Sequence, residues 1–333
     1  MRKSTVVKGI AGVGGALAAV AGFSSFGMAT YITKINGQTL EEARKWQDDH
    51  YDTSFYDSLK KKDYLVNSYD DYVLNVQFVK NPIESDKYVI LTHGYTDNRF
   101  GTLKYMKIYL DRGYNCIIWD LRGHGLNRKT YTTYSIRESK DLLMLIKDTK
   151  KRYGEDIYLG LHGESLGSAT SVAVLQYKPA VEFAVLDCGF ADIENVLRLA
   201  MKNAKMPGAV FEAASAANQV IHGNSFYEMR PIDALNTNTV PLCFIHGAAD
   251  DFILPDNSKR MAAATKGYSE MHLIEGAGHA GSVLVNPEKY REYVNKFLDK
   301  VESGELKEKK EEKYYDPFYK CLCSKEIKNT CTE

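Results

Sequence analysis

Five residues, Gly163-Glu164-Ser165-Leu166-Gly167, carry the strongest chemical signal in this chain. An apolar run, Ile157 to Leu161, comes just before them, and a small-residue stretch, Ser168 to Gln176, follows. Together they spell a strand, a sharp turn and a helix with a serine at the apex. Such a turn lifts the hydroxyl above a sheet, and the glycines leave room for the strained backbone. The chemistry would be attack of Ser165 on a carbonyl carbon. The plainer alternative is a serine that caps a helix N-terminus. The five-residue pattern is weak alone, and the flanking strand and helix make it specific.

A serine hydroxyl is a poor nucleophile at neutral pH, so it needs a base within hydrogen-bond reach and a group that orients the base. The sequence has eight histidines. His162 precedes the turn, His93 and His246 each end a strand before a glycine, and His272 falls inside a strand. His124 lies in a loop, His50 in the N-terminal linker and His222 in the segment after the sixth strand. His279, in Gly276-Ala277-Gly278-His279, follows the last strand in a glycine-rich loop that lets an imidazole reach back. It is the expected base.

The orienting acid should follow the strand before that. His246-Gly247-Ala248-Ala249-Asp250-Asp251 offers two aspartates. Asp250 is the better placed, just beyond the turn at Gly247, and Asp251 reads as a loop or cap residue. Asp187, at the end of the sixth strand, is the fallback. A buried aspartate accepting from Nδ1 fixes the tautomer of the base and stabilises its cation. Two backbone N–H groups should hold the oxyanion: that of Leu166 and that of Tyr95, in the His93-Gly94-Tyr95 turn.

The elements that must position these groups alternate. Strands are expected at Tyr72 to Lys80, Lys87 to Thr92, Cys116 to Trp119, Ile157 to Leu161, Val181 to Leu186, Pro241 to Ile245 and Met271 to Ile274. Helices are expected at Leu103 to Leu110, Ile136 to Tyr153, Ser168 to Tyr177, Asn257 to Lys266 and Tyr290 to Leu298. Short buried strands alternating with helices imply an α/β fold with a mostly parallel sheet covered on both faces. Right-handed crossovers then bring the strand C-termini, and with them Ser165, Asp250 and His279, to one edge. Residues 192 to about 236 break the alternation with helical patterns alone, and this stretch is a candidate lid. The other reading is a crossover helix with a long loop.

The bulk numbers exclude several classes. The 333 residues are 44% hydrophobic and 26% charged, with 43 basic against 43 acidic side chains. That is the composition of a globular protein without a field for nucleic acid. No Walker loop or zinc-type spacing is present, and no cofactor or metal is expected. Arg2, Lys3 and Lys8 precede an uncharged run from Gly9 to Thr33, long enough to span a bilayer. Residues 1–33 therefore read as a membrane anchor or a cleaved signal peptide, with the catalytic domain outside the cytoplasm or secreted. Residues 34–67 read as a linker with a helix at Leu40 to Asp49, 68–302 as the catalytic domain, and 303–333 as a charged tail. Cys116, Cys188 and Cys243 fall in or beside core strands. Cys321, Cys323 and Cys331 cluster in the tail, where two could pair in an oxidising compartment.

These segments resemble the α/β-hydrolase superfamily. The match rests on His93-Gly94-Tyr95, Asp120-Leu121-Arg122-Gly123-His124-Gly125, Gly163 to Gly167, His246-Gly247 through Asp250, and Gly278-His279. Within it the chain is similar to the serine aminopeptidase and monoacylglycerol lipase-like branch and to membrane-anchored bacterial hydrolases. The resemblance implies a structural role for Asp120 to Gly125. Hydrolysis of an ester or thioester through an acyl-enzyme is the expected activity, with a small-molecule or lipid-like acyl substrate. Two alternatives stand. An amidase or aminopeptidase would need an acidic patch, for which Glu164, Glu194, Glu212 and Glu228 are available. A membrane-tethered binding protein would use the same scaffold without catalysis.

Overall fold

Valine, isoleucine and leucine crowd the segments expected to be buried strands, and those segments form the middle of one sheet. The computed structural model describes residues 24–308. Its strands are β1 (Lys61–Asn67), β2 (Val73–Val79), β3 (Lys87–Thr92), β4 (Asn115–Trp119), β5 (Tyr158–Glu164), β6 (Phe183–Asp187), β7 (Leu242–Gly247) and β8 (Ser269–Ile274). They form one sheet in the order β1-β2-β4-β3-β5-β6-β7-β8. The pairs β1–β2 and β2–β4 are antiparallel, and every pair from β4 to β8 is parallel.

The pleat sorts the core into two layers. Ile90, Ile117 and Leu161 face one cluster, while Val89, Leu91, Ile118 and Val185 face the other. Helices α2 (Leu103–Leu110) and α8 (Pro287–Glu302) cover the second face. Helices α3 (Ile136–Tyr153) and α4 (Leu166–Ala173) cover the first. Between β6 and β7 lie α5 (Ile193–Asn203), α6 (Ala209–His222) and two 3-10 turns, with no strand. Helix α7 (Asp256–Ala264) joins β7 to β8.

Strand order reverses at β3, whose neighbours are β4 on one side and β5 on the other. A crevice forms outside the strand C-termini at such a switch point. The turn after β3 carries Tyr95 and the turn after β5 carries Ser165, so the sheet topology alone places these two side by side.

The N-terminal region differs from its reading as a linker. Helix α1 (Leu40–His50) is present, with a Thr39–Glu42 capping box. Lys61–Asn67, however, is the edge strand β1. Its side chains are mostly exposed, so the segment shows charge rather than an apolar alternation. Helix α4 begins at Leu166, two residues before the expected start, because the turn at Ser165 enters it directly.

Most of the proposed anchor or signal segment, residues 1–23, lies outside the described residues, as do the tail cysteines Cys321, Cys323 and Cys331. Residues 24–33 are helical. Ala29, Ile32 and Thr33 on this helix are buried against the domain, and Phe26 and Tyr31 are exposed. Among the described residues no helix is long and apolar enough to cross a membrane. Cys116, Cys188 and Cys243 are buried thiols.

Candidate active site

Ser165 sits at φ 54° and ψ −114°, a conformation that L residues rarely adopt. Close packing dictates the glycines around it. A methyl group at Gly163 would lie 2.3 Å from the Gly167 carbonyl oxygen, and one at Gly167 would lie 2.2 Å from that of Thr92. The elbow thus presses directly on the end of β3. The Ser165 amide donates to the Asp187 carbonyl at 2.9 Å, which fixes the turn to β6.

Ser165 Oγ lies 3.0 Å from His279 Nε2, and His279 Nδ1 lies 2.7 Å from Asp250 Oδ2. The hydroxyl, imidazole and carboxylate predicted from sequence are thereby brought into one connected chain. Asp250 is buried and the His279 side chain is partly exposed, with Phe252 edge-on to its ring at 5.1 Å. Burial alone would raise the Asp250 carboxyl. Hydrogen bonds from His246 and His279 outweigh this and hold it well below its ordinary range.

Two loops are fastened together to make this possible. The Ala248 and Ala249 amides donate to the carbonyls of Ile274 and Ala277, each at 2.9 Å. A methyl group at Gly247 would lie 2.3 Å from the Ala277 oxygen. Asp250 Oδ1 accepts from the Phe252 and Ile253 amides at 3.0 and 2.9 Å. His246, whose role the sequence did not reveal, holds the other oxygen. Its Nε2 faces Asp250 Oδ2 at 3.1 Å and the Ile253 carbonyl at 2.7 Å. Both partners are acceptors, so Nε2 carries the proton, and Nδ1 is left to accept from Ser258 Oγ at 2.8 Å. Asp251 is exposed and Asp187 lies elsewhere, so neither of the alternative acids serves His279.

The two expected oxyanion donors flank Ser165. Leu166 opens α4, where the first amides of a helix have no partner within it. Gly94 abuts Ser165, since a methyl group there would lie 3.5 Å from Ser165 Cβ. Among the described residues nothing accepts from the Leu166 or Tyr95 amide. His93 donates from Nδ1 to the Gly94 carbonyl at 2.7 Å, while its Nε2 accepts from the Leu121 amide at 2.9 Å. Burial, with His124 beside it, pushes this imidazole down to about 3, which keeps it neutral.

Beneath the elbow lies a charge cluster that no motif announced. Glu164 forms a buried ion pair with Lys104 and accepts from the Tyr105 hydroxyl. Tyr105 Oη also lies 3.0 Å from Asp187 Oδ2. Burial alone would lower the Lys104 ammonium, and the Glu164 carboxylate reverses this and holds it above its ordinary value. Asp187 and Asp97 are each pushed up to about 6, chiefly by burial, with the nearby Glu164 charge adding to it. Helix α1 closes the cluster: Lys104 Nζ lies 5.9 Å from the Trp46 ring.

The carboxylates considered for an ammonium pocket are all engaged. Glu164 is paired as above, and Glu194 and Glu212 both bind Arg198. Glu228 accepts from the Ser225 amide at 2.9 Å. The Asp120 to Gly125 segment is structural here. Asp120 forms a buried pair with Arg99 at 2.7 Å, and Arg122 binds Asp70 and Asp141.

A family model described as "Serine aminopeptidase, S33" matches residues 83–225. That span holds Ser165 and Tyr95 but ends before Asp250 and His279, whose placement rests on the geometry above. The chain is 27% identical over 276 residues to the uncharacterized protein YqkD of Bacillus subtilis (strain 168), covering 81% of this chain and 90% of that one. Among solved structures it is similar to the Pyrococcus furiosus esterase Pf2001, with 25% identity and a TM-score of 0.59. That alignment covers 73% of this chain and 93% of the esterase. The Pyrococcus horikoshii acylaminoacyl peptidase shares the fold at 16% identity and a TM-score of 0.56, over 81% of this chain and 46% of that one.

Proposed function

The chain belongs to the α/β-hydrolase superfamily, and from that premise we propose that it hydrolyses a carboxylic ester or thioester through an acyl-enzyme on Ser165. The observation that carries this reading is the connected relay of Ser165, His279 and Asp250, at 3.0 and 2.7 Å. His279 Nε2 takes the hydroxyl proton as Oγ attacks the carbonyl carbon, and the Asp250 carboxylate stabilises the imidazolium that forms. The Leu166 and Tyr95 amides receive the oxyanion; donors of this kind contribute about 3 kcal/mol each to transition-state stabilisation. His279 then returns its proton to the leaving alcohol or thiol. A water, deprotonated by the same imidazole, releases the acid.

The serine aminopeptidase description of the family model keeps the amide as the alternative reading, while the similarity to an esterase of known structure at 25% identity supports an ester. So does the engagement of Glu164, Glu194, Glu212 and Glu228, which leaves none of them to receive a substrate ammonium. Replacing Ser165 with alanine is expected to abolish turnover of p-nitrophenyl esters while the thermal melt stays that of the parent. Retained turnover would refute the mechanism. Parallel rates on aminoacyl-amides decide between ester and amide.

The proposal extends to location. The basic start and the uncharged run from Gly9 support an N-terminal membrane anchor, or a cleaved signal peptide, with the catalytic domain outside the cytoplasm; residues 24–33 at the end of that run pack on the domain, so the inserted part would lie before them. Small-molecule or lipid-like acyl compounds are the proposed substrates.

A further inference from the structure

The loop that carries the Tyr95 amide leaves the sheet at the end of β3. Its peptide groups are held from outside, and much of that hold comes from a stretch of chain near the N-terminus. The Tyr95 hydroxyl donates to the Lys34 carbonyl. The Gln38 amide donates to the Thr96 carbonyl at 2.9 Å. Asn98 Nδ2 donates to the carbonyls of Gln38 and Thr39 at 3.3 and 3.0 Å. His124 Nε2, beside Gly37 of the same stretch, lies 2.6 Å from the Tyr95 carbonyl. Ile35 packs where a methyl group at Gly123 would come within 2.4 Å of its Cδ1.

The same stretch is pinned at its other end to the body of the protein and to the segment between β6 and β7. Tyr134 Oη donates to the Ile32 carbonyl at 2.5 Å, and the Thr132 amide to that of Thr33 at 3.0 Å. Thr33 Oγ1 lies 3.2 Å from Nε2 of His222, the last residue of α6. The His222 ring stacks on Tyr131 at 3.6 Å, and Tyr131 bridges Lys34. Tyr95 and Tyr134, which grip the chain at either side, stack on each other at 5.9 Å.

We propose that residues 32–38 are a strap that positions the Tyr95 amide for the oxyanion and joins that loop to the end of α6. This rests on the acyl-transfer reading above. Lys34 and Gln38 act through their backbone groups and Thr33 through its hydroxyl. All three are positioning residues and none touches the reacting atoms. The strap overlaps the end of the 24–33 helix, so the N-terminal segment runs straight into the oxyanion loop's support.

The test uses the full chain with Tyr95→Phe, which keeps the amide and removes the bond to the strap. The expected result is a roughly tenfold fall in kcat with KM changed less than about twofold, since the interaction served is made only in the transition state. Inhibition by an aryl trifluoromethyl ketone, whose hemiketal places an oxyanion in the same position, should weaken by the same factor. Amide hydrogen exchange in residues 93–98 should quicken. Unchanged kcat and inhibition would overturn the proposal, including the case in which only the melting temperature drops. If the parent protein neither turns over esters nor labels with a fluorophosphonate, the acyl-transfer reading falls. Exchange in residues 93–98 then still decides the strap: unaltered exchange in Tyr95→Phe overturns it, and faster exchange sustains its hold on the loop.

Discussion

Asp187 ends β6 one position from a left-handed residue, Cys188 at φ 42°, and its carboxyl is buried beneath the turn that carries Ser165. Burial first, and the nearby Glu164 carboxylate second, push it up to about 6, above the roughly 4 of an unfolded chain. The folded state therefore holds this proton more tightly, and stability falls as pH rises from about 4 through 6. Asp187→Asn removes that loss. Relative to the parent, its unfolding free energy should improve by about 2 kcal/mol between pH 4 and pH 8. Denaturant melts at the two pH values measure this, and a gap between the proteins that does not move with pH would contradict it. At this scale the sequence was legible where chemistry and glycine spacing coincide. Ser165, Asp250 and His279 stand in loops whose glycines announce a turn. Lys104 and Tyr105 were not legible as partners, because each acts through a residue distant in sequence, Glu164, and His246 was not, because its partners reach it only once the segment after β7 folds back on the strand end.

Packing across the sheet edge explains which glycines matter. Gly167 meets the backbone of β3, so Gly167→Ala places a methyl group 2.2 Å from a carbonyl oxygen that cannot move without breaking the strand. The expected cost is about 3 kcal/mol or failure to fold. Gly278, in the loop that brings His279 to the site, has open space around it. Gly278→Ala should change stability by no more than about 0.5 kcal/mol. Urea melts of the two variants check the pair, and equal losses would mean that the elbow is not seated on β3. Buried elements were readable because their apolar runs are dense: β3, α2 and α3 match their expected limits. The edge strand β1 was not, since Lys61, Lys62 and Asp63 point to solvent and leave no period-two signal. The proposed strap was equally silent, because apart from the Thr33 hydroxyl it is held by backbone carbonyls and amides that any side chains could accompany.

For the molecule as a whole, the membrane proposal makes a plain demand. The full chain expressed in a bacterium should sediment with membranes, be released by detergent and resist release by high salt, because an apolar span is not screened by ions. Recovery in the soluble fraction would refute it. Chain order has another consequence. The proposed nucleophile and its proposed base are 114 residues apart in sequence. A ribosome therefore completes Ser165 and the elbow well before it makes His279. Until His279 emerges the Ser165 hydroxyl lacks the base this reading assigns it, so the unfinished chain would be inert as an acyl-transfer catalyst.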